Sequence, residues 1–194
     1  MTDWLEIVSA VLGLGCVVLA GRNSKYNFWV GYVYNIFLFL LFWRQKLIAA
    51  MVLQPVSLCI SIYGHYRWTH PAENERSASD PTSLKVSRLS SREWSGLLLV
   101  ALVFGSALGG FLSEKTGDPS PWLDSYILML TFLAQYMSAI KCVECWIVWL
   151  VVNAANLALY LSSGLVLMPI VSGLYLANGV WSLISWKKLH GNGQ

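Results

Sequence analysis

The chain has 194 residues, of which 56% are hydrophobic and 12% charged. The charged share is about half that of a typical soluble domain. This composition excludes a disordered chain, a disulfide-rich secreted module and an ordinary water-soluble enzyme. The net charge of +3 is too small to indicate a nucleic-acid-binding protein. The 10 Trp and 9 Tyr residues suit a chain that contacts the lipid–water boundary.

Seven apolar stretches follow one another along the chain, most of them separated by short polar turns. Each is close to the roughly 20 residues that a helix needs to cross the hydrocarbon core of a bilayer. We therefore expect an all-α membrane protein with seven transmembrane helices, at Trp4–Ala20, Tyr26–Trp43, Leu47–Trp68, Trp94–Leu112, Trp122–Ile140, Cys145–Leu161 and Leu165–Trp186.

One long polar segment, at about Thr69–Arg92, divides these stretches into two groups. It holds two Pro and many Ser residues, which predicts a mobile linker. The predicted organisation is a first three-helix unit at 1–68, a linker at 69–93, a connecting helix at 94–118, a second three-helix unit at 119–187 and a tail at 188–194.

The distribution of Lys and Arg predicts the orientation of the chain in the membrane. Ten of them fall on the side of the long linker and the carboxyl terminus, and three on the other side. Because cytoplasmic loops carry the excess of positive charge, we expect the amino terminus outside and the carboxyl terminus in the cytoplasm.

The sequence also contains a repeat at an offset of 118 positions. This offset aligns Trp4-Leu5-Glu6 with Trp122-Leu123-Asp124 and Asn35 with Asn153. Helices 1–3 then correspond to helices 5–7, with helix 4 between them. Because four helices separate the two copies, the two units run parallel, as in one class of transporters that bind substrate at mid-depth between their units.

Polar groups near the middle of the spans are the candidate binding residues. Trp146, Trp149, Asn153 and Asn156 share one face of helix 6, where indole rings could stack on a flat ligand and amides could bind its polar groups. Asparagine and glutamine also serve as interhelical hydrogen bonds in membranes, so that alternative stays open. The full candidate set is Asn35, Gln54, Tyr63, Gln135, Trp146, Trp149, Asn153 and Asn156.

The tryptophans at the predicted span ends have a different expected role. Trp4, Trp68, Trp122 and Trp186 lie where aromatic side chains anchor helices at the membrane surface. Cys142-Val-Glu-Cys145 lacks the partner pair that a zinc site requires, so we expect reduced thiols. The sequence has no phosphate-binding loop and no nucleophile or metal motif. We therefore expect that the protein is not an enzyme and binds no cofactor.

Two motifs resemble the PnuC family of bacterial vitamin transporters, best known for nicotinamide riboside. Ile62-Tyr-Gly-His-Tyr-Arg-Trp68 is similar to the end of that family's helix 3, and Trp146-Ile-Val-Trp149-Leu-Val-Val-Asn153 is similar to its helix 6. Gln54 and Gln135 also fall where such proteins carry glutamine. The chain departs from the family at Gly179-Val-Trp-Ser-Leu183, where Leu replaces an expected Trp and leaves the register of helix 7 open.

The resemblance implies a 3+1+3 fold like that of a SWEET transporter, in a homotrimer in the bacterial inner membrane. It implies facilitated diffusion of nicotinamide riboside, which intracellular phosphorylation then traps. Thiamine and riboflavin transporters belong to the same family and remain alternatives. A SWEET-type sugar carrier and a membrane sensor without transport activity are the remaining hypotheses.

Overall fold

The computed structural model describes residues 4–44, 46, 48–78, 80–115, 120–162 and 167–191. Within these residues the chain forms seven long helices, each close to its predicted span, although α7 continues five residues beyond it. The predicted span starts Leu47 and Leu165 lie outside the described residues. The helices are α1 Trp4–Gly21, α2 Tyr26–Arg44, α3 Ile48–Thr69, α4 Ser91–Lys115, α5 Pro121–Ala139, α6 Cys145–Ser162 and α7 Leu167–Gly191.

Six of the helices form a closed ring. Within each unit the middle helix packs against the other two, so α2 touches α1 and α3, and α6 touches α5 and α7. The ring closes where α3 packs on α5 and where α7 packs on α1. In the part of the chain that the structure describes, α4 packs against α5 alone and therefore lies outside the ring. We call α1–α3 the first triplet and α5–α7 the second triplet.

The two triplets run in the same direction. Trp68, at the end of α3, donates a hydrogen bond to the backbone of Ser138 at the end of α5. Trp186, near the end of α7, donates one to Gly21 at the end of α1. The four helices α1, α3, α5 and α7 therefore finish at the same end of the ring, next to residues 70–90. We call this the linker end and the opposite one the far end.

The repeat predicted from the sequence also appears in local backbone geometry. Asn23 and Lys141, which are 118 positions apart, have φ angles of 59° and 60° in the turns after α1 and α5. Asn35 and Asn153 each donate a hydrogen bond from the amide nitrogen to the carbonyl four residues earlier, over 2.8 Å in both cases. The same backbone plan is thus used twice.

The hydropathy of the helices reflects their place in the ring. By length and mean hydropathy alone, three helices within the described residues (α1, α2 and α4) qualify as membrane spans, and α6 is apolar over Cys145–Leu161. The ring helices α3, α5 and α6 carry Gln54, Gln135, Asn153 and Asn156 on the inner wall, and such polar residues lower the mean hydropathy of a helix that still meets lipid on its outer face.

Over its described residues, 69–78 and 80–93, the linker is ordered, and the prediction that it is mobile was wrong there. Arg67 makes a two-pronged ion pair with Glu75, with N–O distances of 2.9 and 3.0 Å. Leu84 and Val86 are each 3% exposed and join the core. Sequence composition missed this order because the two apolar side chains that hold the linker stand alone between polar neighbours.

Helix α4 presents an apolar outer face. Leu99, Val103 and Phe104 are each about 60% exposed, as a lipid-facing surface requires. On its inner side, a β-carbon at Gly105 would lie 2.6 Å from the ring of Tyr126, and one at Gly109 would lie 2.7 Å from the ring of Trp122. The glycines therefore let two aromatic rings of α5 pack directly on the α4 backbone.

Candidate functional site

A cavity of about 440 Å³ lies inside the ring, with walls from α1, α2, α3, α5, α6 and α7. This volume is within the usual range for a site that binds one small molecule. The structure brings together seven of the eight predicted site residues on its wall: Asn35, Gln54, Gln135, Trp146, Trp149, Asn153 and Asn156.

Tyr63 does not belong to this cavity. Its side chain is 42% exposed on the outside of the ring, where it stacks on Tyr136 with ring centroids 6.4 Å apart. The family resemblance placed Tyr63 in one motif with Trp68, but the two residues are five positions apart, about 140° around a helix, so they lie on different faces of α3. We therefore leave Tyr63 out of the site.

The indole of Trp149 is held in position by its neighbour on α5. Its Nε1 donates to the Ser138 hydroxyl over 3.2 Å, and that hydroxyl donates in turn to the carbonyl of Ala134 over 2.8 Å. These bonds restrain the rotation of the indole. A restrained ring on the cavity wall is suited to stacking on a flat ligand, because little rotamer entropy is lost on binding.

The paired asparagines present hydrogen-bond acceptors to the cavity. Asn35 bonds through its amide nitrogen to Gly31, and Asn153 does the same to Trp149. Each bond uses one of the two N–H groups of the amide, so each asparagine keeps its oxygen as an acceptor and its second N–H as a donor for a ligand.

Two buried polar atoms on the wall have no hydrogen-bond partner among the described residues. They are the side-chain oxygen of Gln135 and the indole nitrogen of Trp146. Buried polar groups are almost always paired, because an unpaired one loses its interaction with water. Both atoms are covered by their neighbours in this conformation, so a ligand in the cavity reaches them only after those side chains move.

The wall is uncharged. Within the described residues that line the central cavity there is no Lys, Arg, Asp or Glu. Such a site can hold a neutral ligand or a cation that interacts with aromatic faces. It offers no counter-charge to an anion, whose desolvation would remain uncompensated.

Sequence reasoning missed several cavity residues, above all Tyr34, Cys16 and Tyr175. Gly13 makes room for Tyr175, because a β-carbon there would lie 2.6 Å from the Tyr175 hydroxyl. Tyr175 aligns with Ser57 at the repeat offset, and Ser57 also lines the cavity. Because neither residue was a candidate from the sequence, the repeat could not identify them, and their place on the wall follows from the packing of the helices.

The cavity continues toward the far end and narrows toward the linker end. A second cavity of about 570 Å³ shares six wall residues with the central one, including Asn153 and Asn156, and extends to Glu6 and Tyr160. On the other side a space of only about 120 Å³ lies between the central cavity and the buried rings of Trp68 and Trp186. The ring is therefore closed at the linker end in this conformation.

Trp68 and Trp186 are not surface anchors, and that prediction was wrong for both. Their exposed fractions are 4% and 0%, whereas Trp4 and Trp122 at the far end are 59% and 48% exposed. All four lie at the end of a predicted span. Only Trp68 and Trp186 lie where the two triplets meet.

The linker end contains a buried lysine. Lys141 is 1% exposed, its ammonium group donates to the Leu84 carbonyl over 2.5 Å, and it lies 4.5 Å from the centre of the Trp68 ring. Burial lowers the pKa of Lys141 to about 8, and the Asp80 carboxylate partly opposes this shift. Next to it, burial raises the pKa of Cys142 to about 12, so that cysteine is a thiol at neutral pH.

The chain is similar to known transporters over nearly its full length. A sequence profile of the family described as nicotinamide mononucleotide transporter matches residues 3–188. The nicotinamide riboside transporter PnuC of Neisseria mucosa is 28% identical over 96% of this chain and 73% of its own length. The riboflavin/roseoflavin transporter RibM of Streptomyces davaonensis is 26% identical over 94% of this chain and 84% of its own.

A solved structure has the same fold. The crystal structure of the vitamin B3 transporter PnuC superposes with a TM-score of 0.78 and covers 100% of this chain and 84% of its own, at 23% sequence identity. The all-α fold predicted from the sequence is thereby confirmed.

Proposed function

Because the chain belongs to the nicotinamide mononucleotide transporter family, we propose that this membrane transporter carries nicotinamide riboside into bacterial cells by facilitated diffusion. The ligand binds in the central cavity, between the two triplets. The bundle lies in the cytoplasmic membrane with its amino terminus outside and the linker end in the cytoplasm, in agreement with the excess of Lys and Arg there.

The observation that carries this proposal is the restrained indole of Trp149 beside two amides in an uncharged cavity. The pyridinium ring of nicotinamide riboside is flat and cationic, so it gains from stacking on indole and from a cation–π interaction of about 1–2 kcal/mol. Asn35, Asn153 and Gln135 place amide groups on the cavity wall for the carboxamide and the ribose hydroxyls.

The uncharged wall also agrees with facilitated diffusion followed by trapping. A pump driven by protons or ions uses carboxylates, histidines or basic groups at the substrate site, and the described wall of the central cavity holds no Asp, Glu, His, Lys or Arg. Intracellular phosphorylation adds negative charge to the riboside. The phosphorylated product then fits the cavity poorly, because no Lys or Arg in the described wall compensates its desolvation.

The protein is proposed to work as a homotrimer in contact with lipid. Helix α4 is the element that lies outside the ring, and Val100, Val103 and Phe111 are each more than half exposed on it. An apolar face of this kind can meet lipid or a second copy of the chain. Crosslinking of detergent-purified protein, with products resolved as one, two or three chains, tests the assembly.

Riboflavin is the second candidate substrate. RibM matches this chain about as well as PnuC does, at 26% against 28% identity. Riboflavin is also flat and carries a hydroxylated chain, so an indole and amides could hold it. It is neutral, however, and does not gain the cation–π interaction that favours the riboside.

Isothermal titration calorimetry of purified protein separates the candidates. Nicotinamide riboside, riboflavin, thiamine and glucose are titrated in turn, and the riboside is expected to bind most tightly. Trp149→Ala should weaken its binding at least about tenfold, as the loss of stacking and cation–π contacts predicts. The matched control is Trp43→Ala, whose indole is 63% exposed at the far end of α2.

The outcomes are distinct. If riboflavin binds more tightly than the riboside and Trp149→Ala weakens riboflavin binding, the proposed substrate is wrong and the proposed site is supported. Equal loss in Trp149→Ala and Trp43→Ala contradicts the site. No saturable binding of any of the four compounds contradicts the proposed function.

A further inference from the structure

The linker end is closed by two indoles that occupy equivalent positions in the two triplets. Trp68 donates from Nε1 to the Ser138 carbonyl over 3.2 Å, and Trp186 donates from Nε1 to the Gly21 carbonyl over the same distance. Each bond runs from the last helix of one triplet to the first helix of the other. The two rings also meet each other, with centroids 5.9 Å apart.

Close backbone packing accompanies each indole bond. A β-carbon at Gly64 of α3 would lie 2.9 Å from Cβ of Ala139 on α5, and one at Gly21 of α1 would overlap the Ser182 hydroxyl of α7. Gly64 is equivalent to Ser182, and Ala139 to Gly21. The contact of α3 with α5 and the contact of α1 with α7 are therefore equivalent helix crossings, and each contains one glycine. The triplets are therefore in direct contact on both sides of the linker end.

The linker covers this closure. Its Leu84 donates from the backbone to the Trp68 carbonyl and accepts from Lys141, whose ammonium group lies over the Trp68 ring. His190, at the end of α7, is bonded to the Val86 carbonyl over 3.0 Å. One ordered segment thus holds both Trp68 and the end of α7 in the closed position.

Ser138 joins the closure to the binding cavity. Its carbonyl accepts from Trp68, and its hydroxyl accepts from Trp149, the indole proposed to stack on the ligand. The equivalent position in the first triplet is Ala20, which has no hydroxyl. The connection therefore exists on one side of the ring.

We propose that Trp68 and Trp186 form the gate at the linker end, and that Ser138 is the positioning residue that connects this gate to Trp149. This inference deepens the proposed transport function, because it names the contacts that must break before a ligand can leave toward the cytoplasm. Movement of the ligand-stacking indole is then transmitted through one serine to one of the two gate bonds.

Thiol labelling tests the gate without any ligand. Cys16 lines both the central cavity and the small space behind the indoles, so it reports on access from either end. A membrane-impermeant methanethiosulfonate is added to right-side-out or inside-out vesicles, and mass spectrometry quantifies the label on Cys16. The readout is the rate from the linker end divided by the rate from the far end.

Trp68→Phe and Trp186→Phe each keep an aromatic ring and remove the indole nitrogen. Each should raise this ratio about fivefold, the population shift expected for the loss of one ordinary hydrogen bond. Trp43→Phe, at the exposed far end of α2, is the matched control and should leave the ratio unchanged. A ratio of one in the parent, or an unchanged ratio in both gate variants, overturns the gate.

A double-mutant cycle with the same readout tests Ser138. Ser138→Ala and Trp149→Phe each remove one partner of the same hydrogen bond, so each should raise the ratio, and the double variant should raise it no further. Ser138→Thr keeps the hydroxyl and should restore the parent value. Additive effects, or no effect in either variant, overturn the connection. Failure of riboside binding in calorimetry contradicts the proposed substrate and leaves the gate result as it stands.

Discussion

The two triplets share a backbone plan but supply the cavity unequally. Both carry an asparagine with the same hydrogen bond, at Asn35 and Asn153. Where the second triplet has Trp149, however, the first has Gly31, and both positions line the cavity. The second triplet thus provides the ring, and the first provides the space beside it. A duplicated frame can hold an asymmetric ligand because the side chains diverged while the backbone did not.

The linker end shows the same division between frame and side chains. The two indole bonds are equivalent, yet Ser138 ties one of them to the cavity and Ala20 leaves the other without such a link. The closure is symmetric, and its connection to the ligand is one-sided.

The largest expected effect comes from removing the space that the first triplet provides. Gly31→Phe should abolish measurable riboside binding, a loss of at least about 100-fold, because the new ring occupies the cavity next to Trp149. Calorimetry measures it, with Gly96→Phe as the control, since a β-carbon at Gly96 meets no atom within 4 Å. Retained affinity in Gly31→Phe would show that the ligand does not lie between the triplets.

The second-largest effect concerns the two equivalent helix crossings at the linker end, α3 with α5 and α1 with α7. Gly21→Ala should lower stability by about 1–3 kcal/mol, because its β-carbon meets the fully buried Ser182. Adding Ser182→Gly recreates the arrangement of the other crossing, which pairs Gly64 with Ala139, and should recover most of the loss. Thermal unfolding in detergent measures both. A double variant no more stable than the single one would refute the structural equivalence of the crossings.

Substitution of the two equivalent asparagines tests whether both triplets contact the ligand. Asn153→Ala and Asn35→Ala should each weaken riboside binding about tenfold, the effect of losing one hydrogen bond in a desolvated site. Calorimetry of the two variants is compared with Asn74→Ala, which alters an exposed linker residue. A loss confined to Asn153→Ala would place the ligand on the second triplet alone.

The smallest effect is the dependence of stability on pH at Lys141, whose equivalent is Asn23. Since the folded pKa is about 8, below the model-compound value of 10.5, the unfolded chain binds more protons between these values and stability rises with pH there. Relative to Lys141→Asn, which has no titrating group, the parent should gain about 1 kcal/mol between pH 7 and pH 9. Thermal unfolding at the two pH values measures this gain, and parallel pH profiles would contradict the burial of a charged lysine.

Much of the frame could be predicted because the membrane imposes it. A helix must offer about 20 apolar residues to cross lipid, so the spans are visible in hydropathy alone, and α1 and α2 begin at the predicted residues. The face shared by Trp146, Trp149, Asn153 and Asn156 follows from helical periodicity, which local sequence determines. These four residues do line one cavity.

Contacts between distant parts of the chain could not be predicted in this way. Tyr63 and Trp68 belong to one motif, yet one lies outside the ring and the other inside it. The linker looked mobile because its order depends on Leu84 and Val86 packing against helices that are far away in sequence.

Hydropathy and helical geometry act over a few turns, so they were enough to predict the seven long helices, their approximate bounds, the repeat and the polar face of α6. The packing of the helices was needed to show which tryptophans are exposed and which close the ring, and that Ser138 joins Trp68 to Trp149. These assignments depend on how α3 meets α5 and how α7 meets α1. Helix-to-helix packing of this kind is set by the fit of side chains across the whole bundle.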